Sequence, residues 1–113
     1  MAATSTTLLD SATISDGDTI SAGAAPDLGD SQTLEIVVTV HQAAEGDSPA
    51  LLFQHSPDGD ETWLNFDPPV RVSLARAGDT WVHVPHFTRY VGWSAAGFLE
   101  TSASVSVKLV GKS

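Results

Sequence analysis

Metal chemistry is the first possibility raised by this sequence, because it holds four histidines, His41, His55, His83 and His86. Zinc needs three or four converging ligands, with each imidazole nitrogen about 2.1 Å from the metal. There is no cysteine, so thiolate ligation is excluded. His83 and His86 straddle Pro85 and would converge only if the chain turned there, while His41 and His55 fall on other expected strands. Strand-end histidines are the simpler account, and no metal is expected. Two acidic groups, Asp16 with Asp18 and Asp58 with Asp60 and Glu61, invite a calcium reading. Neither has the spaced oxygen ligands and distant Glu of a calcium loop. Each surrounds a glycine, Gly17 or Gly59, which is the composition of a tight turn.

Catalytic arrangements are equally poor. The chain has no Gly-x-Ser-x-Gly elbow and no cysteine nucleophile. It has no glycine-rich phosphate loop between a strand and a helix. Paired carboxylates for glycoside hydrolysis would have to come from acids that sit beside Gly, Ser and Pro, where turns explain them. No catalytic residue and no cofactor are expected, and the chain reads as a protein that binds or assembles.

The aromatic residues carry more information. Phe53, Trp63, Phe66, Trp81, Phe87, Tyr90, Trp93 and Phe98 all lie in the later part of the chain. Most must fill the core, since each ring buries 150 Å² or more. Trp63 and Trp81 are the candidates for an exposed platform that meets a sugar or a neighbouring subunit. Trp63 follows the turn 56–60 and would stand at a hairpin edge. In a sugar site, Gln54, Asn65 and nearby Asp residues would supply the polar contacts. Thr6, Thr7 and Leu8 form a third candidate. Residues 1–9 are polar, threonine-rich and uncharged before Asp10. Such a segment suits an extended arm that adds to a neighbour's sheet edge. Otherwise, Leu8 begins the domain's own first strand.

The elements that must position these residues are strands. Leu34, Ile36, Val38 and Val40 alternate with Glu35, Val37, Thr39 and His41, and Ala103, Val105, Val107 and Leu109 alternate with Ser102, Ser104, Ser106 and Lys108. Period-2 alternation marks half-buried strands. Shorter strands are expected over 50–55, 62–66, 70–74, 81–84 and 89–94, with Pro68 and Pro69 breaking the ladder between the second and third of these. Residues 8–14 and 19–21 flank Asp16-Gly17-Asp18, and 22–30 read as a surface loop. About eight short strands at this spacing predict one all-β domain over 1–113, an antiparallel β-sandwich of jelly-roll or immunoglobulin-like type.

Composition narrows the partners. The 113 residues carry a net charge of −9. All but Asp79 and Glu100 of the 14 acids precede the first basic residue, Arg71. A first half without cations cannot displace counterions from phosphates, so nucleic acid is a poor partner and none is expected. No run approaches the ~18 apolar residues of a membrane helix, so no membrane partner is expected. The N-terminus lacks the basic and apolar regions of a signal peptide, which points to synthesis in a cytoplasm.

The run Leu52-Phe53-Gln54-His55-Ser56-Pro57-Asp58-Gly59-Asp60-Glu61-Thr62-Trp63 resembles a pattern of small virion proteins from tailed bacteriophages, in which a strand ends in Ser-Pro-Asp-Gly and a Trp opens the return strand. Asp27-Leu28-Gly29-Asp30-Ser31-Gln32, Arg89-Tyr90-Val91-Gly92-Trp93 and the final 105–112 resemble further pieces of the same family in the same order. The chain departs from it at Gly92, where a larger or basic residue is common, and at 85–88, where a glycine is usual. The resemblance implies a β-sandwich without catalytic residues. It further implies a head-decoration protein on the outer surface of a particle, made in a bacterial host's cytoplasm. Its partners would be the major capsid protein or other virion subunits, with homo-oligomers expected. A tail or neck subunit and a carbohydrate-binding module on a tail or fibre are the alternatives.

Overall fold

Alternation of apolar and polar residues decides which way each strand faces, and the two clearest runs form the centre of one sheet. In the computed structural model, which describes residues 3–20, 24–29, 31, 33–85 and 87–112, seven strands are present. They are β1 (Ala3–Ile14), β2 (Thr33–Gln42), β3 (Gly46–Ser56), β4 (Leu64–Ser73), β5 (Gly78–Val84), β6 (Tyr90–Leu99) and β7 (Ala103–Lys112). They make two antiparallel sheets, one in the order β1-β7-β2-β5 and the other β4-β3-β6. Among the described residues there is no helix, hence none long and apolar enough to cross a membrane.

The core lies between the sheets. Ile36 pairs with Leu109, Val38 with Val107 and Val40 with Val105. These six and Leu34 are at most 4% exposed, as their alternation requires. The facing wall comes from Leu51 and Phe53 on β3, Val70 and Val72 on β4, and Val91 and Trp93 on β6. Each large side chain buried this way contributes about 1.5–3 kcal/mol.

Connectivity separates the two expected sandwich types. An immunoglobulin domain places its first two strands side by side. Here β7 lies between β1 and β2, and the chain changes sheet after β2, β4, β5 and β6. That wrapped order is a jelly roll. Its eighth strand position is occupied by irregular chain. Thr19 bridges Ser94 and Asp27 bridges Tyr90, so the segment after β1 runs along the edge of β6.

Three local expectations need correction. Residues 62–66 and 70–74 do not form two strands; β4 runs through both. The prolines still interrupt its ladder, because pairing jumps from Phe53–Val70 to Gln54–Asn65 and leaves 66–69 off the register. Second, Asp16-Gly17-Asp18 closes no hairpin with 19–20. The Asp18 N–H bonds to Ser15 O, and the turn carries the chain to the other sheet. Residues 21–23 lie outside the described residues, as do Asp30 and Gln32. Third, of the two readings of 1–9, the described part takes the second: from Ala3 onward it belongs to the domain's own first strand, paired with β7, Thr6 opposite Leu109 and Thr7 opposite Lys108. Threonine-rich, uncharged chain pairs readily with any open edge, and the nearest one belongs to its own sheet.

Val107→Asp should lower stability by about 3 kcal/mol or more, because it places an unpaired charge in a fully buried site. Urea unfolding followed by tryptophan fluorescence measures this. An unchanged midpoint would contradict the core assignment.

Candidate interaction surfaces

The turn 56–60 is built around a buried hydroxyl. Ser56 is fully buried, and its Oγ accepts from Gly59 N at 2.8 Å and from Asp58 N at 3.2 Å. The same hydroxyl donates to Asp58 Oδ1 at 2.8 Å, which also accepts from Asp60 N and Thr62 N. Asp60 N–H, then the Ser56 hydroxyl, hold the Asp58 carboxyl down to about 2. The carboxylate is thus employed in fixing the turn. Gly59 takes φ +73°, and a Cβ there would meet the Tyr90 ring at 2.9 Å. The other acidic group behaves alike: Asp18 Oδ2 accepts from Ser15 N, and Asp16 Oδ1 accepts from Leu99 N.

Tyr90 is where separate sequence motifs meet. Asp27 bridges Tyr90 through the backbone, and its carboxylate takes two bonds from Arg89, Nε to Oδ1 at 2.8 Å and a terminal nitrogen to Oδ2 at 2.7 Å. The Arg89 bonds, then the Gly29 N–H, lower the Asp27 pKa. Two residues along β6, a Cβ on Gly92 would lie 2.8 Å from the Trp63 ring and 3.1 Å from Ile20. Trp63 is half-buried, and its Nε1 donates to Asp60 O at 3.1 Å. Its ring therefore leans on β6 and is not a free platform. The glycine at 92 is explained by the ring that covers it.

Two concave surfaces stand out among the described residues. The first is a cleft of about 540 Å³ where the sandwich opens between β4 and β5. Phe66, Val70, Val82, Val84 and Phe87 line its apolar part, and His55, Asn65 and Thr88 its polar part. His55 stacks on Phe66 with centroids 4.6 Å apart. Its Nδ1 accepts from Thr88 N at 3.1 Å, which puts the neutral ring's proton on Nε2. Desolvation lowers its pKa, with a bond to the Asn65 backbone acting in the opposite direction. Asn65 also accepts from Gln54 Nε2 at 3.0 Å, so these two expected sugar ligands bind each other. His83 sits on the rim with Nδ1 2.8 Å from Glu35 Oε1, and His41 Nε2 is 2.8 Å from Ser106 Oγ. His86 is outside the described residues. No group of three metal-ligating side chains occurs among the described residues.

The second surface is the outer face of the four-stranded sheet. One row crosses all four strands: Trp81 opposite Val37, Val37 opposite Lys108, and Lys108 opposite Thr7. The row belongs to a groove of about 450 Å³ that also takes in Thr39, Ser106 and Asp10. Trp81 is 69% exposed, the most open large apolar side chain among the described residues. Thr7 and Trp81, singled out separately in the sequence, thus lie in one groove. Thr6 is half-buried, and Leu8 packs partly against the core. Val37, Lys108 and Val110 had no distinguishing signal in the sequence beyond being the outward members of alternating strands.

No family model, curated protein or solved structure matches the chain.

Gly92→Ala should cost about 1–3 kcal/mol, because Trp63 and Ile20 must give way; thermal unfolding measures the loss. The Asp58 carboxyl has a depressed folded pKa, so the unfolded chain binds the proton first as pH falls. Its contribution to stability is present above about pH 4 and is lost as pH falls through about 2. Asp58→Asn keeps an acceptor oxygen and removes the charge. Urea midpoints should then fall less steeply between about pH 4 and 2 than in the parent chain.

Proposed function

We propose that the protein is a non-enzymatic structural subunit of a tailed phage or phage-like particle, a decoration protein on the outer surface of the head that binds the lattice of the major capsid protein. The observation that supports this reading best is the outer face of the four-stranded sheet. It presents an exposed tryptophan, Trp81, on a groove that reaches across to β1. An exposed Trp on a regular sheet face is a strong anchor for a partner surface. The ordered motifs from Asp27 to Lys112 add the phage context, and the sandwich they imply is the fold this chain adopts.

A decoration protein needs a rigid body, a small footprint and many identical copies. Seven strands closed around one core meet the first need without a disulfide. Repetition over a lattice lets weak single contacts suffice. The net charge of −9 favours a basic patch on the capsid partner. A tail or neck position would use the same properties.

One feature favours a second reading, a carbohydrate-binding module. Trp81 shares its groove with the hydroxyls of Thr7, Thr39 and Ser106. A sugar is held by such a pairing of a flat apolar ring with hydrogen-bonding groups. Density-gradient fractionation of particles from the producing culture, with mass spectrometry, separates the two. Co-sedimentation with the major capsid protein, in fixed ratio to it, is the expected result. A chain that stays in the soluble fraction while its tryptophan fluorescence shifts on a glycan panel would replace the first reading with the second.

A further inference from the structure

Open sheets have edges, and this molecule treats its four edges differently. On β6 the outer edge is covered: Ile20 N bonds to Trp93 O, Ala95 N to Asp18 O, and Leu28 N to Arg89 O. On β4, Pro68 and Pro69 remove two backbone donors, and Asp67 and Arg71 add charge. On β1, the register shifts twice, after Thr7 and after Leu9, and Ser11 takes φ +46°. Covering, proline, charge and bulges are the usual ways of stopping an edge from pairing with another chain. β5 has almost none of them. It pairs with β2 residue for residue from Gly78 to Val84 without a shift, has no strand on its other side among the described residues, and contains no proline and one charged residue, Asp79.

The sequence of β5 is also complementary to itself. Its seven residues centre on Trp81. If a second copy approaches antiparallel about a two-fold axis at that residue, Trp81 faces Trp81, and Asp79 faces His83 on both sides. An aromatic pair flanked by two acid–imidazole pairs is a favourable cross-strand set, whereas a shift by two residues would bring Asp79 opposite Trp81. Glu35 already holds His83 Nδ1 at 2.8 Å, so donating from Nε2 to the second copy's Asp79 as well takes the doubly protonated ring.

We propose that β5 is a self-association edge: two copies of this chain join β5 to β5 about Trp81, uniting their four-stranded sheets into one continuous sheet. The two-fold contact is isologous and closed, so it makes dimers and not fibres. It also joins the two outer grooves, each bordered by its own Trp81. The inference does not rest on the virion reading, because it uses only the edges of the isolated fold.

Sedimentation velocity over a concentration series tests it on the full chain. A dimer should appear with rising concentration, and Trp81→Lys should weaken it about tenfold or more while circular dichroism and melting stay as in the parent. Register is tested by disulfide trapping, which is clean because the chain has no cysteine. A mixture of Asp79→Cys and His83→Cys chains should cross-link far faster under mild oxidation than either variant alone. A chain that stays monomeric up to about 1 mM overturns the proposal. So does a dimer that Trp81→Lys leaves intact, or one that Thr6→Pro abolishes instead, which would put the contact on β1. Equal cross-linking of single variants and mixture overturns the register. Particle co-sedimentation without dimers would sink this inference and leave the virion reading standing.

Discussion

Backbone groups at the rim of a sheet need partners, and the way this fold supplies them governs most of its other features. Two open sheets leave four rims. β1 and β2 both run antiparallel to β7, so the chain must return the length of the sheet between them; it does so along β6, where Asp18, Ile20 and Leu28 make backbone hydrogen bonds to it. Leu28 is buried at 6% exposure, so the return also seals part of the core. Irregular chain thereby does the work of a strand with few residues paired. Water or side chains must satisfy what such chain leaves open. Here, Asp16 Oδ1 on Leu99 N and Asp27 Oδ1 on Gly29 N are two of those side-chain solutions.

The same strand edge brings distant stretches of the sequence together. Gly59 lies against Tyr90, Trp63 covers Gly92, and Asp27 grips Arg89. Three stretches that look like separate signals are one packed junction at the β6 end of the smaller sheet. Its centre is structural: a buried Ser56 hydroxyl that organises the turn and a carboxylate whose ionisation depends on that turn. Motifs of this kind report how a sandwich is fastened. The most exposed large apolar side chain among the described residues, Trp81, lies elsewhere, on the outer face of the opposite sheet.

That division has an electrostatic side. The first half of the chain is acidic and the basic residues come late, but folding interleaves them. Lys108 enters the middle of the outer sheet face between Val37 and Thr7, and Arg89 meets Asp27 across the length of the chain. The Asp27–Arg89 pair is exposed, with side-chain accessibilities of 42% and 54%, so its value is in holding the loop's position more than in stability. The outer sheet face combines an exposed Trp81 with Lys108 and the hydroxyls of Thr7, Thr39 and Ser106.

By itself the sequence determined the fold class, the facing of the strongest strands and the turns. Those are local properties: a period of two assigns a face to each residue within one strand, and Ser-Pro-Asp-Gly can close a turn without reference to anything far away. Leu34 to Val40 and Val105 to Leu109 were legible for that reason. The order of the strands was not, because β7 enters between β1 and β2 through pairs 62 to 109 residues apart, and alternation is silent about partners. Nor could the sequence rank its tryptophans. Trp63 and Trp81 both sit near turns, yet one is drawn onto Gly92 and the other is left on the edge of a sheet. Exposure of a side chain is decided by what the rest of the chain places over it, and only the tertiary structure specifies that.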